Sequence, residues 1–146
     1  MCSSDLVAPA RLTDTRVSSG SFGFTSAGTN TIRVQVAGRA GVPGDAGAAV
    51  LNIVSVGSAA PSYVSVFPSH TTRPSTSTLN VDQPGRVISN LTTVQLGDDG
   101  AVEVFFSAGM DLVVDVSGAF VRTGGIATRA GRLVTEIGRA SCRERV

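Results

Sequence analysis

Asp14 and Arg16 stand two residues apart in Leu12-Thr13-Asp14-Thr15-Arg16. On an extended segment they point to the same side, so they could grip a polar ligand or pair inside the protein. Asp115 interrupts the apolar run 112–116. A carboxylate among apolar neighbours needs a cationic or hydrogen-bonding partner, and Arg16 is the partner expected, pinning the first strand. Asn52, Asn80 and Asn90 each end or interrupt an apolar stretch. Such amides satisfy backbone groups where strands leave a sheet. Gathered with Arg73 and an exposed aromatic on one face, they would instead bind sugar. Arg73, Asn80 and Asn90 are therefore the candidate ligand-binding set, and Asp14, Arg16, Asn52 and Asp115 the expected structural polar network.

Catalytic constellations are hard to assemble. A Ser-His-Asp set would have to use His70, the single histidine, which sits in a Ser/Thr/Pro-rich loop. Neither a G-x-S-x-G elbow nor a phosphate-binding glycine loop accompanies it. Glycoside chemistry needs only two carboxylates, and any two of Asp14, Asp45, Asp82, Glu103, Asp111 and Asp115 could converge in space. Asp98 and Asp99 could contribute to a calcium site, but turn chemistry accounts for them. The expectation is no catalytic residue, no metal site, no cofactor and no enzyme activity.

The two ends of the chain are read differently from the middle. The segment 136–146, EIGRASCRERV, resembles one translated frame of a short-read sequencing adapter, and 2–6, CSSDL, resembles the complementary adapter end. Residues 1–6 and 136–146 are therefore expected to be adapter-derived, and 7–135 an internal piece of a longer reading frame. Both cysteines, Cys2 and Cys142, fall in the adapter-like ends, so no disulfide or thiolate chemistry is expected between them. The segment 7–135 keeps nine arginines, no lysine and eight acidic residues. That balance disfavours a nucleic acid or an anionic membrane as partner. No apolar run approaches the ~20 residues of a membrane span.

The elements that would position these side chains are runs of Val, Ile, Thr, Phe and Tyr closed by Gly, Pro, Asn, Asp or Ser. They fall at 31–36, 49–56, 63–67, 76–81, 87–96, 101–107 and 111–121. No window holds helical periodicity without a breaker, so helix content should be near zero. In 49–56, Val50, Val54 and Val56 share one face and Leu51 and Ile53 the other. Parallel strands would need crossover helices that are absent, which leaves an all-β, jelly-roll-like antiparallel β-sandwich, with outer cover from loops or a neighbouring module. Gly97-Asp98-Asp99-Gly100 reads as a hairpin turn between its flanking strands. Most phenylalanines are expected in the core. With no Trp and one Tyr, sugar binding by stacked aromatics is weakly supported.

Pro9-Ala10-Arg11-Leu12-Thr13-Asp14-Thr15-Arg16 resembles the "P-x-R-L-x-D-T-R" opening of a β-rich module of secreted actinobacterial proteins. Similar steps follow in order at Gly41-Val42-Pro43, 49–54, 63–68, Arg73-Pro74, Ser77-Thr78-Leu79-Asn80, Ser89-Asn90 and 112–120. The resemblance implies a secreted β-sandwich accessory module occurring in one or several copies. After the module, 7–121, the segment 122–135 reads as a linker in which Gly131-Arg132-Leu133-Val134 could open the next copy of a tandem array.

The expected function is a non-catalytic extracellular or cell-surface module acting as spacer or adhesion unit. Its expected partners are neighbouring copies of the same module, and cell-wall or environmental polysaccharide. The alternatives are a carbohydrate or wall-polymer binding module and a fragment of a glycoside-acting enzyme.

Overall fold

β-Branched and aromatic residues favour the pleated surface of a sheet, and the glycine, proline and aspartate clusters between them favour turns. The computed structural model describes residues 4–122, with side chains from residue 7. In chain order the strands are β1 (Ser4–Asp14), β2 (Thr25–Gly28), β3 (Thr31–Gln35), β4 (Ala46–Val56), β5 (Ser62–Pro68), β6 (Leu79–Val81), β7 (Val87–Gln95), β8 (Ala101–Phe106) and β9 (Asp111–Val121). A 3₁₀ turn, Val17–Ser19, follows β1, and the described residues contain no α-helix. Among them no helix is long and apolar enough to cross a membrane.

All strand pairings are antiparallel. One sheet has the order β1-β9-β4-β7 and the other β2-β3-β8-β5-β6. Consecutive strands pair directly only in the β2-β3 and β5-β6 hairpins, and every other connection passes from one sheet to the other. This order is a jelly roll with β2 added beside β3. The antiparallel β-sandwich expected from the sequence is the fold of the chain.

The two inner faces build the core. From β4 come Ala49, Leu51 and Ile53, and against them pack Val34, Val64, Val102 and Val104 of the second sheet, all fully buried. Leu12, Leu112, Val114 and Val116 complete the layer. The expectation that most phenylalanines are core is not met, because Phe67 alone of the six is buried. Aliphatic side chains from both faces fill a gap of about 10 Å between sheets. The rings of Phe67 and Phe105, in register with Glu103 and with Thr31 and Ser65, lie on the outer face of the second sheet.

Three boundaries differ from the sequence reading. β1 and β2 carry no run of β-formers, the first containing Pro9 and Arg11 and the second reading Thr-Ser-Ala-Gly, so neither is signalled. β1 also runs back through Ser4, Asp5 and Leu6 opposite Phe120, Ala119 and Gly118, a backbone ladder that side-chain identity does not decide. The third is Gly97-Asp98-Asp99-Gly100. It does turn, with the Gly100 N–H on the Gly97 carbonyl at 2.9 Å, but β7 pairs with β4 while β8 lies between β3 and β5. The segment is an arch between sheets, not a hairpin. The linker and next-copy reading of 123–135 and the adapter reading of 136–146 and 1–3 lie outside the described residues.

Candidate functional site

The first polar cluster grows out of the end of β1. Arg11 lies in register with Asp115, and a bulge before Thr13 brings Asp14 opposite Val113 on the same outer face. Asp14 is 1% exposed. Its Oδ1 accepts Arg16 Nε at 2.9 Å and the Arg16 N–H at 3.1 Å, and its Oδ2 accepts Arg16 Nη2 at 2.6 Å. Arg11 bridges onward, Nη1 to Asp14 Oδ2 at 3.3 Å and Nε to Asp115 Oδ1 at 2.9 Å. The expected Arg16–Asp115 pair does not form. The chain leaves the sheet after Asp14 through the 3₁₀ turn, so Arg16 falls out of register with β9 and folds back on its neighbour. Arg11 takes its place, a role hidden in the sequence because it depends on the bulge.

The Arg16 fork outweighs burial and holds the Asp14 carboxyl well below the usual carboxylate range. A group kept ionised in this way is a strut and a poor general acid, which needs a raised value. Asp111 joins the cluster through Thr15, whose Oγ1 donates to Asp111 Oδ1 at 3.0 Å and accepts the Leu112 N–H at 2.8 Å. Three of the six carboxylates weighed for glycoside chemistry thus gather along β1 and β9, with Arg11, Arg16 and Thr15 between them. Asn52 sits beside Asp115 in register on β4. Its amide makes no hydrogen bond among the described residues, so it stands outside the network expected to include it.

A second cluster forms around Asp99. Its Oδ2 accepts Arg33 Nη2 at 2.6 Å and lies 3.1 Å from His70 Nε2, while Oδ1 accepts the Ser69 hydroxyl and the Ala101 N–H. Burial would raise this carboxyl, but the Ser69, Arg33 and Ala101 donors together hold it well below the usual range. Ser, His and Asp do meet here, yet in the order Ser-Asp-His. The imidazole does not touch the hydroxyl, so it cannot take its proton. Asp98 is fully exposed and lies 3.6 Å from Arg122. Among the described residues no group of three or more His, Cys, Asp or Glu could hold a metal.

The third feature is a groove on the outer face of the second sheet. The connection 69–78 folds back over β5: Ser65 Oγ donates to the Thr76 carbonyl at 2.7 Å, and the Val66 N–H donates to Thr78 Oγ1 at 3.0 Å. It covers Phe67 and lays the Arg73 guanidinium 3.8 Å above the centre of the Phe105 ring. Thr29, Thr31 and Thr71 supply hydroxyls along the groove and Glu103 a carboxylate. Glu103 accepts the His70 N–H at 3.0 Å. Neither Arg73 nor Glu103 has an ion-pair partner among the described residues. Beyond Phe105 the face continues into Tyr63, whose ring lies 5.8 Å from that of Phe105 at 46°, and then Asn80, opposite Tyr63 on β6.

Two of the three residues in the expected ligand-binding set thus share one face, with an exposed aromatic between them. Asn90 does not join them. It lies on β7 in register with the core residue Ile53, and its amide donates to the Thr78 carbonyl at 2.7 Å, the backbone-satisfying role. Nothing in the local sequence marks Phe105, Glu103 and the threonines as ligand-binding residues. Only the pairing of β8 with β3 and β5 sets them beside Arg73. Comparison with protein-family models, curated proteins and solved structures finds no match.

Proposed function

We propose that the β-sandwich is a non-catalytic extracellular module of the "P-x-R-L-x-D-T-R" type, an adhesion unit that holds a polysaccharide strand across the outer face of its second sheet. The carrying observation is the Arg73–Phe105–Tyr63 strip. A guanidinium that stacks on a ring keeps its in-plane donors for hydroxyl or carboxylate oxygens, and the ring edges and faces suit the C–H face of a sugar. The groove is shallow and open to solvent, with a volume of about 230 Å³, below the ~300–1,000 Å³ of pockets that swallow a small molecule. An open trough of that size suits a polymer lying across it.

The topology favours adhesion over spacing. Within 7–121, β1 runs antiparallel beside β9, with Ala10 opposite Val116, so the first and last strands of the described fold are neighbours, about 5 Å apart. Such a module adds little length to a string and hangs from it, presenting its far faces. Retention on insoluble cellulose, chitin or wall sacculi tests the proposal. At least one polymer should retain the protein, and Arg73→Ala should weaken retention at least tenfold without changing thermal stability. Retention that is absent on every polymer, or indifferent to Arg73, would return the module to a spacer.

A further inference from the structure

The sandwich has four strand edges, and three of them are blunted against pairing. β1 carries Pro9 and two register shifts against β9. β2 and β6 are four and three residues long. β7 is different: nine residues in unbroken register with β4, without a charge, a proline or a glycine. A long, regular, uncharged edge is a template for another strand. Its solvent-facing side chains include Val87, 66% exposed, and Leu91, 60% exposed. Val87 lies beside Val56 on the outer face of β4, and Leu91 lies beside Asn52.

The sequence of this edge points to what covers it. Read outward from Leu91 in Val-Ile-Ser-Asn-Leu-Thr-Thr-Val-Gln, the pairs are Asn90 with Thr92, Ser89 with Thr93, Ile88 with Val94 and, at the strand ends, Val87 with Gln95. The three inner pairs match in chemistry, amide with hydroxyl, hydroxyl with hydroxyl and β-branched with β-branched, and only the terminal Val87–Gln95 pair does not. Antiparallel pairing of the strand with itself turns this order into cross-strand contacts of the favourable kinds, with Leu91 meeting Leu91 on the axis. No like charges oppose one another. We infer that β7 pairs antiparallel with β7 of a second copy about a two-fold axis at Leu91, joining two four-stranded sheets into one of eight strands. The contact is isologous and closes on itself, so it yields a dimer and not a fibre.

One strand pair is a small interface, so the dimer is weak and is sought at about 100 µM protein. Sedimentation equilibrium of the full chain, with Cys2 and Cys142 replaced by serine, should report a monomer–dimer equilibrium. Leu91→Lys, which sets two ammonium groups face to face, should weaken dimerisation at least tenfold while leaving the thermal midpoint in place. Mild oxidation reads the register. Leu91→Cys should cross-link to itself, whereas Val87→Cys should not, because its counterpart lies roughly 26 Å away in this register. A monomer at every concentration would overturn the inference. So would a dimer untouched by Leu91→Lys, or cross-linking through residue 87 and not 91.

Discussion

Asp14 is the residue on which the start of the fold turns. It is buried, accepts three hydrogen bonds from Arg16 and one from Arg11, and its backbone N–H and carbonyl both bond to Phe22. Asp14→Asn keeps the shape and removes the charge that both guanidinium groups address. It should cost about 2 kcal/mol of stability in chemical denaturation, the scale of hydrogen bonds to a charged group. The pH dependence has a definite sign. A carboxyl held below its ordinary value contributes its full stabilisation above pH ~4, where the unfolded chain is also ionised, and loses it as the pH falls further. The melting temperature of the wild type should therefore drop steeply below about pH 4, and Asp14→Asn should flatten that fall, leaving the part due to Asp99. Equal acid sensitivity in both proteins would mean that Asp14 is not the strut described. Gly23 makes a separate point. It has φ of +83° and a Cβ there would collide with the Leu12 carbonyl oxygen, which Arg39 Nη2 binds at 2.8 Å. Gly23→Ala should cost about 3 kcal/mol or more, measured in the same denaturation experiment.

Elements rich in β-branched residues are legible in the sequence. The runs read from the sequence fall within a few residues of β3, β4, β5, β6, β7, β8 and β9, since in each one face meets the core. β1 and β2 match no such run, since an edge strand with one partner can be built from Pro, Arg, Ser and Gly as long as its backbone reaches a neighbour. The 97–100 turn shows the limit of local signals. A Gly-Asp-Asp-Gly turn fixes a reversal of direction, but whether the next strand lands beside its predecessor or in the opposite sheet is set by which edges are already occupied. The same limit hid Arg11 and exchanged the expected partner of Asp115. Protection against hydrogen exchange should follow the strand order. Amides of β9, β4 and β8, flanked on both sides, should exchange slowest, and those of β2 and β6 fastest. Fast exchange throughout β9 would contradict the topology.

At the scale of the whole molecule the two outer faces differ in character. The first sheet presents the Arg11–Asp14–Asp115 cluster along β1 and β9, and on its other side half-buried valines and the uncharged edge β7, a surface suited to another copy. The second presents hydroxyls, a stacked guanidinium, a carboxylate and two rings, a surface suited to a hydroxyl-rich chain. Part of this contrast is legible in the sequence. The two-faced apolar pattern of 49–56 is the signal for an apolar outer surface on the first sheet, and of the set Arg73, Asn80 and Asn90 the first two meet on the second while Asn90 does not. Their assembly with Phe105 and Tyr63 was not legible, because it needs strands far apart in the chain to become neighbours.

The most direct test of the proposed binding face uses a feature of the composition. Tyr63 is the only tyrosine and there is no tryptophan, so tyrosine emission reports on this face alone. Titrating the protein with soluble oligomers of whichever polysaccharide retains it should change that emission saturably, and Arg73→Ala should shift the midpoint at least tenfold. Binding that leaves the Tyr63 emission unchanged would place the ligand elsewhere and contradict the account.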